Sequence, residues 1–138
     1  VIYTDCDGNV NALLPLWLEA GMNGMFPCEV NGGSDPVELR RKYGHDVLLF
    51  GGVAKKAISG TREDILKELR RLAPLVEDGG FIPMIDHRCP EYVPFENYRY
   101  YQREKLAMLG FTEDEIGAIE PLRGMKATMK RCRGVIAG

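Results

Sequence analysis

Four short apolar runs, beginning near residues 1, 24, 47 and 80, set the rhythm of this chain, and each is followed by a stretch of helical periodicity. Val1-Ile2-Tyr3-Thr4 is β-prone and runs into the polar cluster Asp5-Cys6-Asp7-Gly8-Asn9. Leu13, Leu14, Leu16, Trp17 and Leu18 follow at helical density, and Gly21 predicts the stop. The second run spans 24–30 and contains Pro27, which predicts that this strand ends or bends there, since proline has no N–H for a sheet ladder. Ser34-Asp35-Pro36 then predicts a helix start, with a capping side chain and a proline in the first turn. That helix carries Val37, Leu39, Arg40 and Tyr43 and stops at Gly44.

The third run, Val47-Leu48-Leu49-Phe50-Gly51-Gly52-Val53, is apolar without alternation, the pattern of a strand buried on both faces under helices. Thr61-Arg62-Glu63-Asp64 reads as a capping box with Asp in place of the usual Glu. Behind it Ile65, Leu66, Leu69, Leu72, Ala73 and Val76 share one helical face, and Gly79-Gly80 ends the helix. Phe81-Ile82-Pro83-Met84-Ile85 is the fourth run, followed by Asp86-His87-Arg88-Cys89-Pro90. Pro94 opens a long helix through Tyr98, Tyr101, Leu106 and Leu109 to Gly110, and Thr112-Glu113-Asp114-Glu115 caps a shorter one.

Strict strand–helix alternation predicts an α/β fold with a parallel sheet, because a helix must carry the chain back before the next strand. An open doubly wound sheet and a closed barrel both fit. No G-x-G-x-x-G turn follows any strand, which weakens the dinucleotide-binding form of the open sheet. Four units make half of a standard TIM (β/α)8 barrel. Residues 1–110 are expected to form this half barrel, and 111–138 a C-terminal helix and a basic tail. The tail holds Arg123, Lys126, Lys130, Arg131 and Arg133 with no acid after Pro121, and reads as a solvated segment.

A length of 138 residues suits one domain, and 45% apolar residues are enough for a core. The net charge of -2 gives no electrostatic reason to expect nucleic acid or an anionic membrane as partner. No apolar run approaches the roughly 20 residues that span a bilayer. Cys6, Cys28, Cys89 and Cys132 form no C-x-x-C pair, and free thiols in a reducing cytoplasm are expected. A chain opening on Val1 reads as a fragment.

Active sites of parallel α/β folds sit at the C-terminal ends of the strands. That rule selects Asp5 and Asp7 after the first strand, Glu29 after the second, Gly51-Gly52 in the third, and Asp86 and His87 after the fourth. In an extended segment Asp5 and Asp7 point the same way and can converge on one cation or proton. Alternatively Asp7-Gly8-Asn9 makes the turn and caps the next helix. Glu29 is an acid inside an apolar run, costly to bury unless paired or metal-bound. His87 lies beside Asp86, whose carboxylate could orient the imidazole, whereas His45 reads as a partner of the helix end before it. Gly51 and Gly52 either let a substrate approach the backbone or make a tight turn. Asp5, Asp7, Glu29 and His87 together suit a divalent metal of zinc, iron or manganese type, acting as Lewis acid or activating a bound nucleophile.

The stretches Asp5-Cys6-Asp7-Gly8-Asn9, Glu-Ala-Gly-Met-Asn (19–23), Phe-Pro-Cys-Glu-Val (26–30), Leu-Phe-Gly-Gly-Val (49–53), Gly-Gly-Phe-Ile-Pro (79–83) and Val-Pro-Phe-Glu-Asn-Tyr (93–98) occur in this order. The ordered set resembles the uroporphyrinogen decarboxylase superfamily, more its cobalamin (corrinoid)-dependent methyltransferase branch than the decarboxylases proper. The resemblance covers residues 1 to about 110 and implies the C-terminal half of that family's barrel. Methyltransferases of the branch hold zinc with a His-x-Cys pair, a glutamate and a last cysteine. The resemblance places Asp5 at the histidine, Asp7 at the first cysteine, Glu29 at the glutamate and His87 near the final cysteine. The positions are kept while the ligands become harder, which puts thiol alkylation in doubt. The resemblance implies methyl transfer between a small-molecule donor or acceptor and a corrinoid held on a partner protein. Asp5, Asp7 and His87 would do the chemistry, a divalent metal, zinc first, would sit among Asp5, Asp7, Glu29 and His87, and Gly51, Gly52 and Asp86 would bind substrate. The N-terminal half of the barrel is the expected partner, or another copy in a homo-oligomer. Uroporphyrinogen decarboxylation is the alternative, and a non-catalytic half barrel the third reading.

Overall fold

A computed structural model of the chain describes residues 1–119, so the basic tail after Pro121, with Cys132, lies outside the described residues. Four strands, β1 (Tyr3–Asp5), β2 (Gly24–Cys28), β3 (Leu48–Val53) and β4 (Phe81–Ile85), form one all-parallel sheet in the order β1-β2-β3-β4. Helices α1 (Leu14–Glu19), α2 (Pro36–Tyr43), α3 (Lys55–Ser59) and α4 (Arg62–Asp78) lie in the crossovers. After β4 come α5 (Phe95–Met108) and α6 (Glu113–Ala118). The architecture is α/β, with strands and helices alternating, and is compatible with half of a β/α barrel.

Local chemistry accounts for the boundaries. The Asp35 carboxylate accepts the Val37 N–H at 2.8 Å with Pro36 in the first turn, so α2 starts where its sequence predicts. The Thr61 hydroxyl accepts the Asp64 N–H at 3.2 Å while the Asp64 carboxylate accepts the Thr61 N–H at 2.8 Å. This reciprocal capping box nucleates the seventeen-residue α4. The second strand continues through Pro27 to Cys28. The Phe26–Pro27 bond is cis, and the β2–β3 register shifts between Met25 and Cys28, so the missing N–H falls where the ladder is already interrupted.

The core lies on one side of the sheet. Met25, Leu49 and Val53 on the strands and Ile65, Leu69 and Leu72 on α4 are almost wholly enclosed, with Leu39, Ile58 and Tyr101 around them. Each such side chain contributes roughly 1.5–3 kcal/mol by leaving water. Arg103 on α5 reaches Glu113, and Ile116 of α6 packs on Ala107, which ties the last helix to the rest.

Among the described residues no helix covers the other side. Register pairs Asp5 with Phe26 and Phe50 with Ile82, and the Tyr3 ring meets those of Phe26 and Phe50 at centroid distances of 6.1 and 5.7 Å. These side chains share the uncovered face, where Tyr3 is 59% and Ile82 55% exposed. The unalternating run 47–53 predicts a strand buried on both faces. Here Leu49 is fully enclosed while Leu48 and Phe50 remain partly open, because among the described residues helices cover one face only.

Candidate functional site

At the C-terminal ends of the strands the open face hollows into a pocket of about 520 Å³. Asp5 ends β1 and Asp7 lies just beyond it, while His87 and Arg88 follow β4. All four line the pocket, over an apolar base that includes Phe26 and Met84. Cys6, between the two aspartates, packs instead against the core. Side chains that follow the two edge strands therefore meet at one spot: His87 Nε2 lies 3.4 Å from Asp7 Oδ1. The imidazole is 28% exposed and the carboxylate 62%. An imidazole beside a carboxylate in a concave, partly wet site can hold a proton and pass it on.

Behind the pocket wall is a second group, and it is joined to the first. Glu29 follows β2, and its Oε1 accepts from Lys55 Nζ at 2.9 Å while Oε2 accepts the Gly8 N–H at 2.8 Å. The Lys55 bond, then the Gly8 N–H, holds the Glu29 carboxyl below the ordinary carboxylate range. The same bond to Glu29 raises Lys55, so both partners are charged at neutral pH. With side chains only 18% and 16% exposed, the pair is stronger than a surface ion pair.

Asp86 is fully buried and turned away from the pocket. Its carboxylate accepts the Lys55 backbone N–H at 3.0 Å and the Asn31 side-chain amide at 3.4 Å. Burial raises its pKa, and the Lys55 N–H only partly offsets that. The sequence suggests that Asp86 orients His87; in the fold Asp7 does so, since Asp86 faces inward while its neighbour faces the pocket. Gly51 and Gly52 are also placed differently from the substrate-binding role expected of them. Both have positive φ (105° and 76°) and are buried. A Cβ on Gly51 would lie 2.8 Å from the Cys28 nitrogen, and one on Gly52 2.4 Å from Pro36 Cγ. The space they leave is filled by the chain's own β2 and α2. His45, far from the pocket, pairs with Asp78 at 3.3 Å.

The four residues expected to hold a metal thus fall into two groups. Asp5, Asp7 and His87 border the pocket, whereas both oxygens of Glu29 are engaged by Lys55 and Gly8. Among the described residues no three His, Cys, Asp or Glu side chains converge as a metal site. The arrangement does not fit a four-ligand ion. Cys28 is enclosed in the core rather than at the pocket, and burial pushes its thiol up to about 12. Cys6 and Cys89 are free, and neither lines the pocket.

Lys55 and Arg88 are the site residues that the sequence pattern does not single out. Both lie just past a strand's C-terminal end, the rule that finds the other members, so position was the available signal. The chain matches no protein-family model, no curated protein and no solved structure. Among the described residues no helix is long and apolar enough to cross a membrane.

Proposed function

We propose that this chain is the C-terminal half of a (β/α)8 barrel enzyme resembling the corrinoid-dependent methyltransferases of the uroporphyrinogen decarboxylase superfamily. The observation that carries the reading is the Asp7–His87 pair, set in a pocket at the C-terminal end of a sheet face that no helix covers among the described residues. In a closed barrel that face is the interior and that end is the mouth. Tyr3, Phe26, Phe50 and Ile82 would then pack against the inward side chains of a second half.

A corrinoid on a partner protein supplies the cobalt that exchanges the methyl group. The chain's own part is proton handling and binding. Asp7 orients the imidazole of His87, which donates a proton to the oxygen or nitrogen released when a methyl group leaves a small-molecule donor. Arg88 and Asp5 orient polar groups of that molecule, and Phe26 and Met84 exclude water from its apolar part. No step is assigned to a metal, since Glu29 is committed to Lys55.

Arg88 also favours a second reading, because a guanidinium beside an acid–base pair suits a carboxylate-bearing substrate such as a porphyrinogen. One experiment separates the two. The chain joined to its complementary half is assayed for methyl transfer, by the absorbance change of a corrinoid protein, and for CO₂ release from uroporphyrinogen. Methyl transfer that falls about 10²–10⁴-fold in His87→Ala supports the proposal. CO₂ release without methyl transfer selects the second reading, and unchanged methyl transfer in His87→Ala overturns the role given to the pair.

A further inference from the structure

Four contacts and two peptide links close a ring around the strand ends. Asp86 after β4 accepts the backbone N–H of Lys55 after β3 at 3.0 Å. Lys55 Nζ donates to Glu29 after β2 at 2.9 Å. Glu29 accepts the Gly8 N–H after β1 at 2.8 Å. Asp7, covalently next to Gly8, stands 3.4 Å from His87, which is covalently next to Asp86. A further contact, outside the ring, fixes the far side of the same turn: the buried Ser34 hydroxyl donates to the Gly8 carbonyl at 2.8 Å. Each strand end is therefore held by its neighbour, and the pocket pair closes the circle.

We infer that Lys55 is a positioning residue for the pocket, setting where Asp7 meets His87 by holding Glu29 against the Gly8 N–H. Three features of the ring carry this. Glu29 is the one carboxylate in the ring that spans from β2 to both β1 and β3, so its orientation decides where the Asp7–Gly8 turn lies. Its second oxygen is fixed by an ammonium rather than by solvent, in a pair whose members are both less than one-fifth exposed. Lys55 is itself anchored at its backbone by a fully buried carboxylate, so the ammonium starts from a fixed point. Lys55 does not line the pocket, and the hydrogen bond of its ammonium leads there through Glu29.

The inference rests on the role proposed for the pocket, yet its test needs neither substrate nor cofactor. The chain has two histidines, and His45 beside Asp78 lies outside the ring and serves as an internal reference. In the 138-residue chain labelled with ¹³C-histidine, the ring signals are recorded at one fixed pH for wild type, Lys55→Met, Lys55→Arg and Glu29→Ala. The expected result is a displacement of the His87 peaks by more than a linewidth in Lys55→Met, with His45 unmoved, and return of the His87 peaks in Lys55→Arg. Glu29→Ala keeps Lys55 but breaks the link and should also displace the His87 peaks by more than a linewidth. It carries the test if Lys55→Met does not fold. Unmoved His87 peaks in a folded Lys55→Met chain overturn the inference. So does a displaced His87 in Lys55→Met that Glu29→Ala fails to reproduce, since the ammonium would then act directly. A failed methyl-transfer assay leaves this result standing, and the reverse holds too.

Discussion

The two faces of the sheet are built from the same strands and have opposite surroundings. On the closed face Met25, Leu49, Leu69 and Leu72 are sealed from water, and the helices cross them in one layer. On the open face Tyr3 and Ile82 remain more than half exposed although they are as apolar as their neighbours across the sheet. Parallel sheets are ordinarily covered on both sides, because each crossover places a helix on one face and the remaining face must find cover of its own. A barrel finds it by curling the sheet upon itself. The closed face therefore explains why these residues fold, and the open face is the one that no helix covers among the described residues.

The largest expected effect probes the closed face. Leu69→Ala empties a fully enclosed position on α4 and should cost about 2–5 kcal/mol, read from the urea midpoint at unchanged slope. The matching change on the open face, Ile82→Ala, should stay within about 0.5 kcal/mol at a dilution where the chain is monomeric, as surface substitutions do. Equal costs would break the distinction, because they would mean that Ile82 is enclosed by something in solution.

Gly52→Ala comes next and tests the seam between sheet and helix. Its φ of 76° is strained for any side chain, and the new Cβ would press on Pro36 at the start of α2. Displacement of that helix should cost roughly 1–3 kcal/mol, with the backbone adding on the order of 1 kcal/mol more. Thermal unfolding measures it. A neutral result would show that α2 floats on the sheet.

The glycine pair also shows where the sequence can be read and where it cannot. Gly51-Gly52 at the end of an apolar run suggests room for a ligand, because sequence gives the absence of a Cβ but not the identity of the neighbour. Only the fold shows that Cys28 and Pro36 fill the gap. Alternation, by contrast, is a local signal. The four runs, the Thr61–Asp64 box and the proline start of α2 stand where the pattern puts them. Pocket membership is legible for Asp5, Asp7 and His87, since Asp5 ends a strand and the other two lie two residues beyond one. Pairing is not, because a carboxylate's partner depends on side-chain direction: Glu29 turns to a lysine, and Asp86 turns inward. The unbroken apolar run of β3 promises two covered faces, and the described residues cover one.

A smaller effect on stability, with a large effect on association, is expected from the open face. Contiguous exposed apolar surface drives self-association. The 138-residue chain should sediment as more than a monomer, and Ile82→Asp should shift it toward monomer, with its unfolding midpoint nearly unchanged at a dilution where both chains are monomeric. A wild-type chain that sediments as a stable monomer would contradict the half-barrel picture, since the open face would then need no partner.

The finest test concerns the two rim carboxylates whose environments differ most, and it appears as a slope with pH rather than an offset. Asp86 sits at full burial, and its pKa is raised above its ordinary 3.8, with desolvation the largest cause. A group raised on folding contributes stability that is complete below its unfolded pKa and lost as pH climbs through the folded one. Glu29 is lowered below 4.5 by Lys55, so its contribution is present above that value and is lost as pH falls. The two slopes oppose each other across the acid range. Asp86→Asn removes the first and keeps an acceptor for the Lys55 N–H, so the variant should gain on wild type as pH rises from about 4 toward neutrality and then hold a constant lead. Urea midpoints at intervals from acid to neutral pH read the difference directly. A lead that is flat from acid to neutral pH would mean that Asp86 does not titrate differently in the folded chain, and that the rim is wetter at its buried corner than the packing implies.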